Sequence, residues 1–178
     1  FIIAVDGEQD GNYTFHALGT AIRRCRVDFG AQIEINVEAI RPQAADKPSK
    51  AHCAVGHIRY DDGTQGTLLY IKSSLTGDED TDISQYAHGE PLFPHESTAD
   101  QFFSESQFES YRKLGVHAAE SAFNGAIRWQ EAVSFGKNKA ETLTTNCKDP
   151  ITHLMQDLCT YWYRTSSAPV STFVNHAE

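Results

Sequence analysis

The sequence predicts an α/β fold on a mixed sheet: a β-α-β opening, then an antiparallel hairpin, then covering helices. Three observations carry this. An apolar run without alternation comes first, a segment with apolar residues at three- and four-residue steps follows it, and farther on two β-rich runs flank an Asp-Gly turn. The 178 residues suffice for one domain with a sizeable core, and 40% hydrophobic and 11% aromatic content excludes a disordered chain.

Phe1 to Val5 has the pattern of a strand covered on both faces, as in a parallel sheet, and it ends at Asp6 and Gly7. Such a strand expects neighbours from outside the chain, and because the sole methionine is Met155, the sequence reads as a fragment or a processed product. From Tyr13 to Phe29, the residues Phe15, Leu18, Ile22, Cys25 and Phe29 form a helical stripe, with Gly30 as its stop. Ile33, Ile35 and Val37 alternate with polar residues and read as a strand. Arg41 to Lys50 is a loop with two prolines. Ala51 to Tyr60 and Thr67 to Lys72 form the hairpin around Asp61, Asp62, Gly63 and Thr64. Asp78 to Asp82 precede a short helix from Ile83 to His88, stopped by Gly89.

A long helix is expected from Ser97 or Thr98 to about Phe123. Thr98 and Gln101 would form its capping box, and Phe108, Tyr111, Leu114, Ala118 and Ala122 its buried stripe. Beyond Asn124 and Gly125, a separate helix is expected from Ile127 to Phe135. A last one runs from about Pro150 to Arg164 with Ile151, Leu154, Met155, Leu158 and Trp162 on one side. The chain thus divides at 123 into an α/β part and a helical extension, 124–178.

Fifteen Lys and Arg against 24 Asp and Glu give a net charge of −9, which repels phosphate backbones and argues against nucleic acid as a partner. No apolar run approaches the roughly 20 residues that cross a bilayer. Cys25, Cys53, Cys147 and Cys159 make no C-x-x-C pair, so reduced thiols and a cytoplasmic or peripheral-membrane location are expected, with one Asn12-Tyr13-Thr14 sequon keeping secretion as the alternative.

Asp6 ends the first strand, where open α/β sheets place ligands, although it could equally cap the loop before the helix. Gly7, Gly11 and Gly19 do not form a dinucleotide fingerprint, and no other cofactor motif stands in the chain. The run from Asp78 imitates an EF-hand but has Ile83 where glycine is required and Gly89 where a bidentate Glu belongs, so a solvated acidic helix start is expected. His52 and His57 point to opposite faces of one strand and cannot share a metal through it, so no metal ligand is assigned. His95 and Glu96, held between Pro91 and Pro94 on one side and Ser97 and Thr98 on the other, are candidate cleft residues with Asp6. No Gly-x-Ser-x-Gly elbow marks a serine nucleophile.

Three blocks resemble one family. Phe93-Pro-His-Glu-Ser-Thr-Ala-Asp-Gln-Phe-Phe-Ser-Glu-Ser-Gln-Phe-Glu-Ser-Tyr-Arg-Lys-Leu-Gly115, Leu69-Tyr-Ile-Lys-Ser-Ser-Leu-Thr-Gly-Asp-Glu79, and Phe1 to Asp6 with Leu18 to Arg23 and Val27 to Gly30 are similar to the C-terminal region of large bacterial patatin-like phospholipases. The resemblance covers roughly residues 1 to 120. It implies an α/β/α sandwich, of which this chain is a fragment, and lipid acyl ester hydrolysis by a Ser-Asp dyad from Gly-x-Ser-x-Gly and Asp-Gly-Gly motifs. Both motifs belong upstream, and Asp62-Gly63-Thr64 lacks the second glycine, so no catalytic residue carries over.

The expected role is a scaffold, inactive alone, whose partners are the missing N-terminal part and, through it, a lipid or acyl ester. Self-association through the first strand is the other contact expected. The alternative is a non-catalytic α/β binding or interaction module, with Asp6 and the Pro91 to Thr98 segment lining its site.

Overall fold

The computed structural model describes residues 1–44 and 47–136 and, farther on, Met155, Leu158, Thr160 and Tyr161. Strand β1 (Ile2–Asp6) is followed by helix α1 (His16–Phe29), strands β2 (Gln32–Ile35), β3 (Cys53–Arg59) and β4 (Gln65–Lys72), and helices α2 (Thr81–Gly89) and α3 (Glu105–Gly136). The four strands form one mixed sheet in the order β1-β4-β3-β2. β1 runs parallel to β4, from Ile2 opposite Leu68 to Asp6 opposite Lys72, and β3 is antiparallel to both β4 and β2. The β-α-β opening therefore joins two parallel strands at opposite edges, with the β3–β4 hairpin inserted between them.

Alternation along β4 divides the core. Leu68 and Tyr70 face α1 in a cluster with Phe15, Ala31, Ile40, Ala54 and Ile58, while Leu69 and Ile71 face Ala118, Ala122 and Leu158 on the other side. The sheet thus lies between helical layers. A third cluster, Ile83, Phe93 and Leu114, joins α2 to α3.

Local chemistry sets the element ends. Gly30 closes α1 in the left-handed region at φ 64°, its N–H bonded to the Cys25 carbonyl. A Cβ there would also come within 3.1 Å of Asp61. In the hairpin, Gly63 takes φ 81°, and Asp62 Oδ1 accepts from the Thr64 N–H at 2.9 Å. At Gly56 a Cβ would lie 2.9 Å from the Glu34 carbonyl, so only glycine lets β2 approach β3 so closely.

Several expectations are corrected. β1 is not covered on both faces: among the described residues it pairs with β4 alone, at the sheet edge, and Ile2, Ile3 and Val5 are 45%, 46% and 77% exposed. β2 stops at Ile35 because the Asn36 carboxamide accepts from the Glu38 N–H and turns the chain. Gly89 ends α2 from within; Glu90 caps it, held in extended geometry (φ −121°, ψ 89°) before Pro91. The Thr98–Gln101 capping box does not form. Residues 97–104 use their side chains in local turns, Ala99 N–H to Ser97 and Phe102 N–H to Asp100, and the cap of α3 is Ser104, which accepts from the Gln107 N–H at 3.1 Å.

Phe108 is consequently in the first turn of α3, at the margin of the buried stripe. It is 58% exposed and stacks on Phe103 with centroids 6.3 Å apart, whereas Leu114, Ala118 and Ala122 are buried as expected. α3 runs through Asn124 and Gly125 without a break to Gly136. One glycine costs only about 1 kcal/mol in a helix interior, less than the buried Ala118 and Ala122 turns just before it supply. Of the last expected helix, Met155, Leu158, Thr160 and Tyr161 are helical and Leu158 is buried; Ile151, Leu154 and Trp162 lie outside the described residues.

Candidate functional site

Parallel pairing sets Asp6 beside Lys72 at the C-terminal ends of β1 and β4. Lys72 falls on the α1 face, in step with Leu68 and Tyr70, and its side chain is wholly buried. Its Nζ lies 3.2 Å from Asp6 Oδ2, 3.7 Å from Asp10 Oδ2 and 5.8 Å from the Phe15 ring centroid. The Tyr70 hydroxyl donates to Asp6 Oδ2, and the Glu8 N–H to Asp6 Oδ1 at 2.8 Å. Asp10 accepts three bonds of 2.8 Å, from the Thr14 N–H, the Thr14 hydroxyl and the Phe15 N–H, and so holds the loop that enters α1. Tyr13 and Phe15 in this loop both adopt positive φ, 50° and 55°.

The electrostatics follow from this geometry. Burial alone would raise the Asp6 pKa, but the Tyr70 and Glu8 hydrogen bonds and the Lys72 charge outweigh it, and the carboxyl titrates below its ordinary value. Asp10 is lowered in the same way, burial being overcome by Thr14, Phe15 and Lys72. Burial and the Asp6 hydrogen bond push the Tyr70 phenol up, so it stays protonated and donating. The cluster is a buried cation between two satisfied carboxylates, an arrangement that locks strand ends and the α1 loop together.

His95 is 6% exposed and packs edge-on against Tyr13 at 4.8 Å between centroids. Burial first, then the Lys72 charge, lower its pKa against the opposing Glu8 backbone, Asp10 and Asp6. Ser73 ties the two segments: its N–H donates to the Asp6 carbonyl at 3.1 Å and its hydroxyl to the Pro94 carbonyl at 3.4 Å. His95, Tyr13, Arg41, Lys47, Leu75 and His88 help to line an open cleft of about 1120 Å³.

Of the three residues expected to share a cleft, the structure brings His95 to the Lys72 cluster that holds Asp6, and separates Glu96. The Glu96 carboxylate accepts from Gln107 Nε2 at 3.0 Å and from the Tyr86 hydroxyl, and its N–H donates to the Tyr111 hydroxyl, so it belongs to the α2–α3 junction. Asp6 is not among the residues lining the cleft. Sequence reasoning missed Lys72, Asp10 and Tyr70. The alternation of Leu68, Tyr70 and Lys72 along β4 is the signal that put the lysine on an inward face. It also missed that His52, Asp78, Glu79 and His117 meet, with one ligand atom of each within 4.8 Å of the others.

Compared with known proteins, the chain matches no family model, no curated protein and no solved structure. No helix among the described residues is long and apolar enough to cross a membrane.

Proposed function

We propose that this chain is the C-terminal scaffold of a patatin-like serine acyl hydrolase, a hydrolase of lipid acyl esters whose Ser-Asp dyad is carried by an upstream part. The observation that supports this reading best is β1: an apolar strand at the sheet edge, with Ile2, Ile3 and Val5 exposed and β4 as its sole strand partner among the described residues. Such an edge asks for a neighbouring strand and a covering layer. An upstream α/β half would supply both and extend the sheet. The Asp6–Lys72–Asp10 cluster then fixes the strand ends on which the catalytic loops of that half would rest, and the Leu69 to Glu79 and Phe93 to Gly115 blocks build the hairpin, the turns and α3 behind it.

The test is hydrolysis of p-nitrophenyl butyrate and of a phospholipid by the purified chain, alone and co-expressed with an upstream part carrying Gly-x-Ser-x-Gly and Asp-Gly-Gly. Turnover only in the combination, abolished by a fluorophosphonate, supports the scaffold reading. Turnover by the chain alone contradicts it. The second reading, a small-molecule binding module, rests on His95, a buried imidazole at the cleft wall beside Tyr13. Ligand binding by the chain alone that disappears in His95→Gln would favour it.

A further inference from the structure

Three segments distant in the chain bring metal-ligating side chains to one point. His52 stands just before β3, Asp78 and Glu79 in the loop from β4 to α2, and His117 on α3. The two imidazoles meet edge to face with centroids 5.1 Å apart, and His117 Nε2 lies 3.3 Å from Asp78 Oδ1.

The hydrogen bonds orient His52. The Ser74 hydroxyl lies 3.3 Å from the Lys72 carbonyl and 3.5 Å from the Ala51 carbonyl, groups that only accept, so its proton is engaged there. Its oxygen therefore accepts from His52 Nδ1 at 3.1 Å. This leaves the lone pair on Nε2, directed at the Thr76 hydroxyl 2.9 Å away. That hydroxyl has one proton and three acceptors in reach: His52 Nε2, Asp78 Oδ1 and Glu79 Oε1. Glu79 is held by the Thr76 and Gly77 N–H groups. Among the described residues no lysine or arginine forms an ion pair with Asp78 or Glu79, so the two carboxylates face only the two imidazoles.

We propose that His52, Asp78, Glu79 and His117 bind a divalent transition-metal ion, zinc by the nature of the donors, which pins α3 to the β4–α2 loop and to the start of β3. Two imidazole nitrogens and two carboxylate oxygens make a four-donor set of ligand types that zinc takes in tetrahedral geometry, whereas calcium and magnesium favour oxygen alone. The Ser74 bond to Nδ1 and the backbone bonds to Glu79 are the outer support that ligating imidazoles and carboxylates need. Four ligands at about 2.0–2.1 Å from zinc stand roughly 3.3 Å apart, so the widest present separation of 4.8 Å has to close by about 1.5 Å. The side chains with freedom to do so are Asp78, 76% exposed, and His117, 23% exposed. Thr76 then gives up Nε2 and keeps its proton for a carboxylate.

The experiment is calorimetric titration of the EDTA-stripped chain with Zn²⁺, with Co²⁺ as a visible-absorption probe of the same site. One Zn²⁺ per chain is expected, with affinity weakened at least about tenfold in His117→Gln and in Asp78→Asn and the Co²⁺ bands lost in both. Asp78 is exposed, so Asp78→Asn keeps its fold and carries the test even where His117→Gln does not. Absence of Zn²⁺ uptake, or uptake that neither substitution weakens, overturns the proposal.

Discussion

Replacing Lys72 by Met removes the positive charge that stands between Asp6 and Asp10 while keeping most of the side-chain volume. Removing one partner of a buried ion pair costs about 3–5 kcal/mol, because the remaining charge is left in a poor solvent. Here the two carboxylates keep strong donors, Tyr70 and Glu8 for Asp6, Thr14 and Phe15 for Asp10, which puts the loss at the lower end, about 3 kcal/mol. For a chain of 178 residues this corresponds to a fall in Tm of roughly 6–12 °C. Urea unfolding followed by circular dichroism at pH 7 measures it. Adding Asp6→Asn to Lys72→Met should restore part of the loss, since the uncompensated charge is removed, and the double-mutant cycle isolates the coupling. A loss below about 1 kcal/mol, or a double mutant that is less stable by the plain sum of both singles, would refute the reasoning.

Leu114→Ala should cost about 2–5 kcal/mol because Leu114 is 2% exposed against Ile83 and Phe93, while Phe108→Ala, at a site 58% exposed, should cost under about 1 kcal/mol; denaturant midpoints decide between them. Asp6 and Asp10 titrate below their unfolded value, so the unfolded chain takes up protons first: their contribution is complete above about pH 5 and is lost progressively as pH falls below about 4 through the lowered folded values, and an Asp6→Asn, Asp10→Asn variant should show a flatter acid limb. His95 is lowered too, so its contribution is present above about pH 6.5 and shrinks as pH falls below that, a slope that His95→Gln should remove from stability curves between pH 7 and 5. Gly56→Ala should destabilise by about 1–3 kcal/mol, because its Cβ would meet the Glu34 carbonyl and the Ile35 side chain at 2.9 Å and push β2 off β3.

Elements ruled by local chemistry were legible in the sequence. α1 and its Gly30 stop, the hairpin around Asp62 and Gly63, and the Leu114, Ala118 and Ala122 stripe depend on residues within a few positions of one another. Misjudged features were settled by competition or by distance. Ser104 outcompeted Thr98 as the α3 cap because the side chains of Ser97 and Asp100 bond their own backbone two residues on, which holds that stretch in turns. The apolar run Ile2 to Val5 looks the same whether its neighbours are present or absent, so its place at the sheet edge could not be read from it. The site is mostly non-local. Lys72 meets Asp6 and Asp10 only through the parallel β1–β4 register, and His52 meets His117 only through the packing of α3 on the sheet.

Hydrogen exchange on the segment from Phe1 to Gly7 tests most directly the proposal that β1 receives an upstream catalytic half. In the chain alone, those amides that do not face β4 should exchange at rates close to those of an open strand edge. In the combination with an upstream part bearing Gly-x-Ser-x-Gly, the same amides should become protected along with the rest of the sheet. Exchange of this segment that is unchanged on combination, while ester hydrolysis proceeds, would contradict the account.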